Sequence, residues 1–135
     1  MKTDLSKILS ISGMSGLYTY LSQAKSGAVV ENVETKKRTC VAMNNKISSL
    51  EDISIYTDGG EVKLSEVLLK MKEHLGDSPA PSHKSEPAVL KALFEEVLPD
   101  YDRDRFYVSH MKKVVDWYNI IAQNASFDFG KEDEQ

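Results

Sequence analysis

Ile53-Ser54-Ile55-Tyr56-Thr57-Asp58-Gly59-Gly60-Glu61-Val62-Lys63-Leu64-Ser65-Glu66-Val67-Leu68 is where the chain changes its rhythm. Ile53 to Thr57 alternates and is β-branched, as a strand requires. Asp58-Gly59-Gly60 is a tight-turn signal, and Glu61 to Leu64 reads as a short returning strand. From Ser65 the apolar period becomes helical: Val67, Leu68, Met71 and Leu75 recur at i, i+3 and i+4 spacings, with Leu64 just before them. Upstream of this point the chain is expected to be β-rich, downstream helical.

Working back toward the N-terminus, Leu17 to Leu21 and Ala28 to Val33 read as strands around a Gly27-bearing loop, followed by a strand from about Thr39 to Met43. Ile47 to Asp52 reads as a helical turn. At the start, Thr3 or Asp4 is expected to cap a short helix carrying Leu5, Ile8 and Leu9, which Gly13-Met14-Ser15-Gly16 then breaks. Four or five short strands bury one face best by curling, and an SH3-like β-barrel suits their order and length.

Working forward, Ser65 is the expected cap of the first helix and Gly76 its end. Residues 76–87 hold three prolines among small polar residues and read as a linker. Ser85 is expected to cap a helix with Leu90, Leu93, Phe94, Val97 and Leu98 on one stripe, stopped by Pro99. Ser109 is expected to cap another, with Met111, Val114, Val115, Tyr118, Ile121 and Ala122. The fold class expected is α+β: a small barrel domain with its closing helix over residues 1–75, the linker, a helical hairpin over 88–124 and an acidic flexible tail over 125–135.

Composition sets outer bounds. In 135 residues, 41% hydrophobic and 28% charged residues make an ordinary globular chain rather than a disordered one. One cysteine excludes an internal disulfide framework and leans toward a reducing, cytoplasmic setting. No apolar run approaches membrane-spanning length, and MKTDLSKILSISG carries no secretory signal. Residues 1–58 hold seven basic and six acidic side chains, whereas residues 85–135 hold six and eleven, so the acidic excess lies in the last third.

Four segments together carry a resemblance: Met1 to Leu9, Gly16-Leu17-Tyr18, Ile47 to Thr57, and Glu96-Val97-Leu98-Pro99-Asp100-Tyr101-Asp102-Arg103. They resemble a Bacteroidetes-type bacterial family of unknown function, with a small β N-terminal domain and a helical C-terminal part. The resemblance covers most of residues 1–122 and implies a bacterial cytoplasmic protein. It transfers no catalytic or binding residue.

The motifs that hint at chemistry are weak. Asp100-Tyr101-Asp102-Arg103-Asp104 opens like a calcium loop, but Arg105 stands where glycine must turn the chain and Met111 where a bidentate glutamate belongs. Arg103 and Arg105 are expected to neutralise these aspartates instead. Gly13-Met14-Ser15-Gly16 has the GXXG spacing of a KH loop without its basic residues. Asp128-Phe129-Gly130 repeats a kinase triplet in a chain with no other kinase element. His74, His83 and His110 lack metal-site spacing, Glu95 and Glu96 diverge on a helix, and Cys40 is expected as a small buried apolar residue. Neither a metal, a cofactor nor an enzymatic site is expected.

The aromatic residues point to binding. Tyr18, Tyr20 and Tyr56 lie on the barrel strands, where an exposed aromatic groove would take an extended peptide. Tyr18 and Tyr20 share a face, with Leu17 and Leu21 directed to the core on the other. Tyr101, Phe106, Tyr107, Trp117 and Tyr118 gather around the turn between the last two helices, as a structural mini-core by default or a protein interface. The expectation is a non-enzymatic interaction or adaptor protein that binds a protein partner, a homodimer included, through the barrel aromatics or the helical pair. The alternative is a nucleic-acid-associated barrel, which needs Lys25, Lys36, Lys37, Arg38 and Lys46 to converge. The third is an enzyme with an unrecognised site, and it needs a deep pocket of strongly perturbed titratable groups.

Overall fold

A computed structural model describes residues 4–14, 16–42, 46–125, 127 and 129. The fold is α+β. Five antiparallel strands, β1 (Ile8–Ile11), β2 (Tyr18–Ala24), β3 (Gly27–Asn32), β4 (Arg38–Ala42) and β5 (Ile47–Ser49), form one sheet in the order β4-β3-β2-β1-β5. β6 (Ser54–Thr57) and β7 (Gly60–Lys63) form a separate hairpin. Three helices follow: α1 (Leu64–Leu75), α2 (Pro87–Val97) and α3 (Val108–Asn124).

The first departure from the sequence reading is at the N-terminus. Among the described residues of this segment Leu5–Lys7 alone is helical, a single 3-10 turn whose Ser6 N–H donates to the Asp4 carboxylate at 3.0 Å. Ile8 and Leu9, expected on a helix, begin β1, which is paired along both edges, with β2 at Ile8 and Leu9 and with β5 from Leu9 to Ile11. Pairing on both sides outweighs the helical spacing of three leucine and isoleucine side chains. Pairing with β1 along one edge likewise makes Ile47 to Ser49 a strand, and the 3-10 turn begins only at Leu50. The glycines at 13 and 16, both at positive φ, therefore join strand to strand rather than helix to strand.

A β-bulge changes the faces of β2. Its pairing with β3 slips between Tyr20 and Ser22, which turns Leu21 out to solvent while Leu17 stays fully buried. The expected pairing of Leu17 and Leu21 in the core is thus broken. Cys40, expected to be buried, is exposed on the edge strand β4, where alternation gives the inward position to Val41. The third strand was expected to run to Met43, which lies outside the described residues.

The helix caps also differ. Lys63 and Glu86 precede α1 and α2 with no side-chain cap, so Ser65 and Ser85 do not serve as caps, and Pro87 opens α2 from its first turn. α3 starts ahead of Ser109, and His110 reaches back to accept the Tyr107 N–H through Nδ1 at 3.1 Å.

Two apolar clusters hold the molecule. The smaller takes Leu9 and Ile11 from β1, Tyr18 from β2, Val30 from β3 and Val41 from β4. The larger gathers Leu5, Leu17, Val33, Leu50 and Ile55 from the β-rich half with the buried stripes of all three helices. The proline-rich segment before α2 takes part too: Ala80 is buried in that cluster, and His83 lies 3.5 Å from Asp116 of α3. Of the tail, Phe127 and Phe129 pack against the larger cluster, and the remaining residues beyond Ala125 lie outside the described set.

Candidate functional site

The sequence-expected residues are spread over the fold. Tyr18 is only 8% exposed and belongs to the smaller cluster, whereas Tyr20 and Tyr56 are 42% and 38% exposed. Tyr20 lies on β2 and Tyr56 on β6, in different sheets. The basic residues do not gather either. Lys25 lies at the turn before Gly27, Lys36 and Lys37 lie beyond Asn32, and the length of β3, about 17 Å at strand rise, separates them. Arg38 is engaged by Glu31, its cross-strand neighbour, at 3.4 Å, and the Lys46 backbone accepts the Ser12 N–H.

Around Tyr56 the structure builds something more specific. The chain after α2 returns to β6 as a single antiparallel bridge, Thr57 to Tyr101: the Asp102 N–H donates to the Tyr56 carbonyl at 2.9 Å and the Asp58 N–H to the Asp100 carbonyl at 2.8 Å. It then leaves β6 in a turn organised by Asp102. One carboxylate oxygen accepts the Asp104 N–H at 2.8 Å and the other accepts Arg105 Nε at 2.7 Å. The Arg105 guanidinium and the Asp104 N–H together hold the Asp102 carboxyl below its ordinary range, and the same bond raises Arg105. With both oxygens engaged this way, Asp102 serves the turn, and among the described residues no three His, Cys, Asp or Glu side chains gather to hold a metal.

Arg105 also lies over the Tyr56 ring, 4.5 Å from its centroid. Arg103 does not neutralise an aspartate as expected. It sits over the Tyr101 ring at 4.1 Å and donates to the Tyr101 carbonyl at 2.8 Å. Beside this turn Phe106 is buried between Phe94 and Tyr101, in edge-on contacts of 5.1 and 5.7 Å, which anchors the start of α3.

The result is a groove of about 240 Å³ between β6 and α3. Its β6 side is Ile53 to Tyr56, its floor includes Phe106, Val114 and Trp117, and His110, Lys113 and Arg105 complete its rim. Of this set the sequence reading singled out Tyr56 as a binding aromatic, and Phe106 and Trp117 within an aromatic cluster expected to form a mini-core or an interface. The remaining residues carried a signal as members of a helical stripe or a charged turn, and nothing local says that β6 lies beside them. A second, larger depression of about 630 Å³ lies between residues 76–79 and the C-terminal half of α3, against Lys72, Tyr118 and Phe127. Burial there raises the Tyr118 phenol.

An antiparallel sheet and a hairpin packed on three helices, with an aromatic groove between hairpin and last helix, define a small α+β module. Residues 53–121 match the family described as Domain of unknown function (DUF6852), and residues 5–50 match Domain of unknown function (DUF5606). The chain belongs to this Bacteroidetes-type family of unknown function. It is similar to a solution NMR structure of a Bacteroides vulgatus protein, a structural genomics consortium target, with 44% identity over 89% of this chain and 87% of that one and a TM-score of 0.75. No curated protein matches. Among the described residues no helix is long and apolar enough to cross a membrane.

Proposed function

We propose that this chain is a non-enzymatic interaction module of the bacterial cytoplasm that binds protein through the groove between β6 and α3. The observation that carries the reading is the Tyr56–Arg105 pair at the groove's lip: an exposed ring covered, 4.5 Å from its centroid, by a guanidinium that is itself bonded to Asp102. Rigid aromatic and arginine side chains beside a buried tryptophan form the kind of surface that concentrates binding energy at protein interfaces. Trp117, 7% exposed, supplies the apolar floor.

The five-stranded sheet is read as an SH3-like barrel that carries this groove's hairpin. Two features support it: the last strand, β5, returns to the free edge of the first, and one apolar cluster draws from β1, β2, β3 and β4 together, as a rolled sheet would. The separation of Lys25 from Lys36 and Lys37 favours a protein partner over a nucleic acid, whose phosphates call for one basic face.

Affinity capture from a Bacteroides lysate tests the function, with Tyr56→Ala and Tyr20→Ala proteins as parallel baits. The reading expects proteins retained by the wild type and by Tyr20→Ala but lost with Tyr56→Ala. Equal retention by all three baits would overturn it.

A further inference from the structure

The outer edge of β6 is half used. In the β6–β7 hairpin the pairs are Ser54 with Lys63, Ile55 with Val62, Tyr56 with Glu61 and Thr57 with Gly60. The Leu64 N–H donates to the Ile53 carbonyl at 3.0 Å, so the odd-numbered residues of β6 turn their backbone groups toward β7. Ser54 and Tyr56 therefore turn theirs outward. The returning chain takes one of these, the Tyr56 carbonyl, through Asp102. It does not complete the pair, because the Asp102 carbonyl turns away to accept the Arg105 and Phe106 N–H groups at 3.2 and 2.8 Å. The Tyr56 N–H and both backbone groups of Ser54 have no partner among the described residues, and they lie along the groove.

The geometry points to addition of an extended segment of a partner protein along Ser54–Tyr56, continuing the strand pairing where Asp102 abandons it. This deepens the protein-binding reading and rests on it. Main-chain bonds to a free edge supply affinity, and alternate side chains supply selectivity. A residue opposite Ile55 shares the inward face of Ile55 and meets Val114 and Trp117, so it is apolar. A residue opposite Ser54 shares the outer face with Lys63, and Lys113 borders the groove from α3. Both lysines are exposed and have no ion-pair partner among the described residues, whereas Glu61 and Asp102 at the Tyr56 end lie near Arg105. The segment that complements this edge thus carries an acidic residue next to the apolar one.

Selection of a phage-displayed random dodecapeptide library on the folded protein tests the inference. Enriched peptides should hold an acidic residue beside an apolar one, and as synthetic peptides they should shift the amide resonances of Ser54 and Tyr56. Ser54→Pro, which removes an outward N–H, should weaken them about tenfold. The Lys63→Glu/Lys113→Glu protein, whose backbone edge is intact, should weaken them at least as much and select basic peptides instead. Peptides that bind the groove and lose affinity with Tyr56→Ala, but tolerate both of the other variants, would overturn strand addition and leave the interaction reading standing. Enrichment of no peptide, or only of peptides insensitive to Tyr56→Ala, would overturn both.

Discussion

Asn119 and Ala80 are joined by two hydrogen bonds across 39 residues of chain. The Ala80 N–H donates to Asn119 Oδ1 at 2.9 Å, and Asn119 Nδ2 donates to the Ala80 carbonyl at 3.1 Å. One amide side chain on α3 thereby satisfies both backbone groups of a residue in the proline-rich segment, which is how a stretch without regular structure lies partly buried at no polar cost.

Removing that clamp has a defined consequence. Asn119→Ala should lower stability by about 1–3 kcal/mol, two modest bonds plus the orphaning of a partly buried pair. Urea unfolding reports the loss. Limited proteolysis should also cut between residues 78 and 86 faster than in the wild type, and unchanged cleavage would contradict the clamp.

Gly27 is irreplaceable for a different reason. A Cβ there would lie 1.8 Å from the Val41 carbonyl oxygen, which is backbone and has no rotamer in which to retreat. Gly27→Ala should cost about 3 kcal/mol, the upper part of the range for overpacking, through separation of β3 from β4. Gly13→Ala meets no atom within 4 Å and suffers only its positive φ, so it should be the milder of the two in the same denaturant titration.

The aromatic triad at the start of α3 should behave as core. Phe94 is fully buried and meets Phe106 edge-on, so Phe94→Ala should cost about 3–5 kcal/mol. The single tryptophan, Trp117, follows the transition by fluorescence. Tyr107→Ala, at an exposed position, should leave the midpoint nearly unchanged.

The Asp102–Arg105 pair makes a prediction about pH. Asp102's folded-state pKa is depressed below 3.8 by Arg105 first and the Asp104 N–H second. Its contribution is therefore complete above the unfolded value and lost as pH falls through the lower folded value. Carboxyl carbon NMR should place its midpoint below 3.8, and Arg105→Gln should move that midpoint upward. A midpoint insensitive to that change would show that the pair is not formed in solution.

Much of the chain's secondary structure was legible residue by residue. The 53–68 segment announced the hairpin and the start of α1, because β-branched alternation, an Asp-Gly-Gly turn and a helical stripe are each local signals. The stripes of α2 and α3 were equally plain, since most of the residues that formed them are buried. β1 and β5 were not legible. Ile8–Ile11 and Ile47–Ser49 are too short to declare a period, and each is a strand because the other lies beside it. Leu21 was misplaced for a similar reason, as a bulge shifts facing by one residue and leaves no mark on composition.

Local sequence signals were enough for the order of the β-rich and helical halves, for most of the apolar helix faces and for the aromatics Tyr56, Phe106 and Trp117 as candidates for core or contact. Three facts came from the packing of the whole chain: Tyr56 meets Arg105, Trp117 lines the same groove, and Ser54 and Tyr56 turn backbone groups outward that have no partner among the described residues. Those facts depend on where the chain near residue 102 crosses β6. That crossing is set by Phe106 and Leu98 entering a shared core with residues as distant as Leu5. Local periodicity records which side of an element is apolar, and the packing of all the elements together decides what it faces.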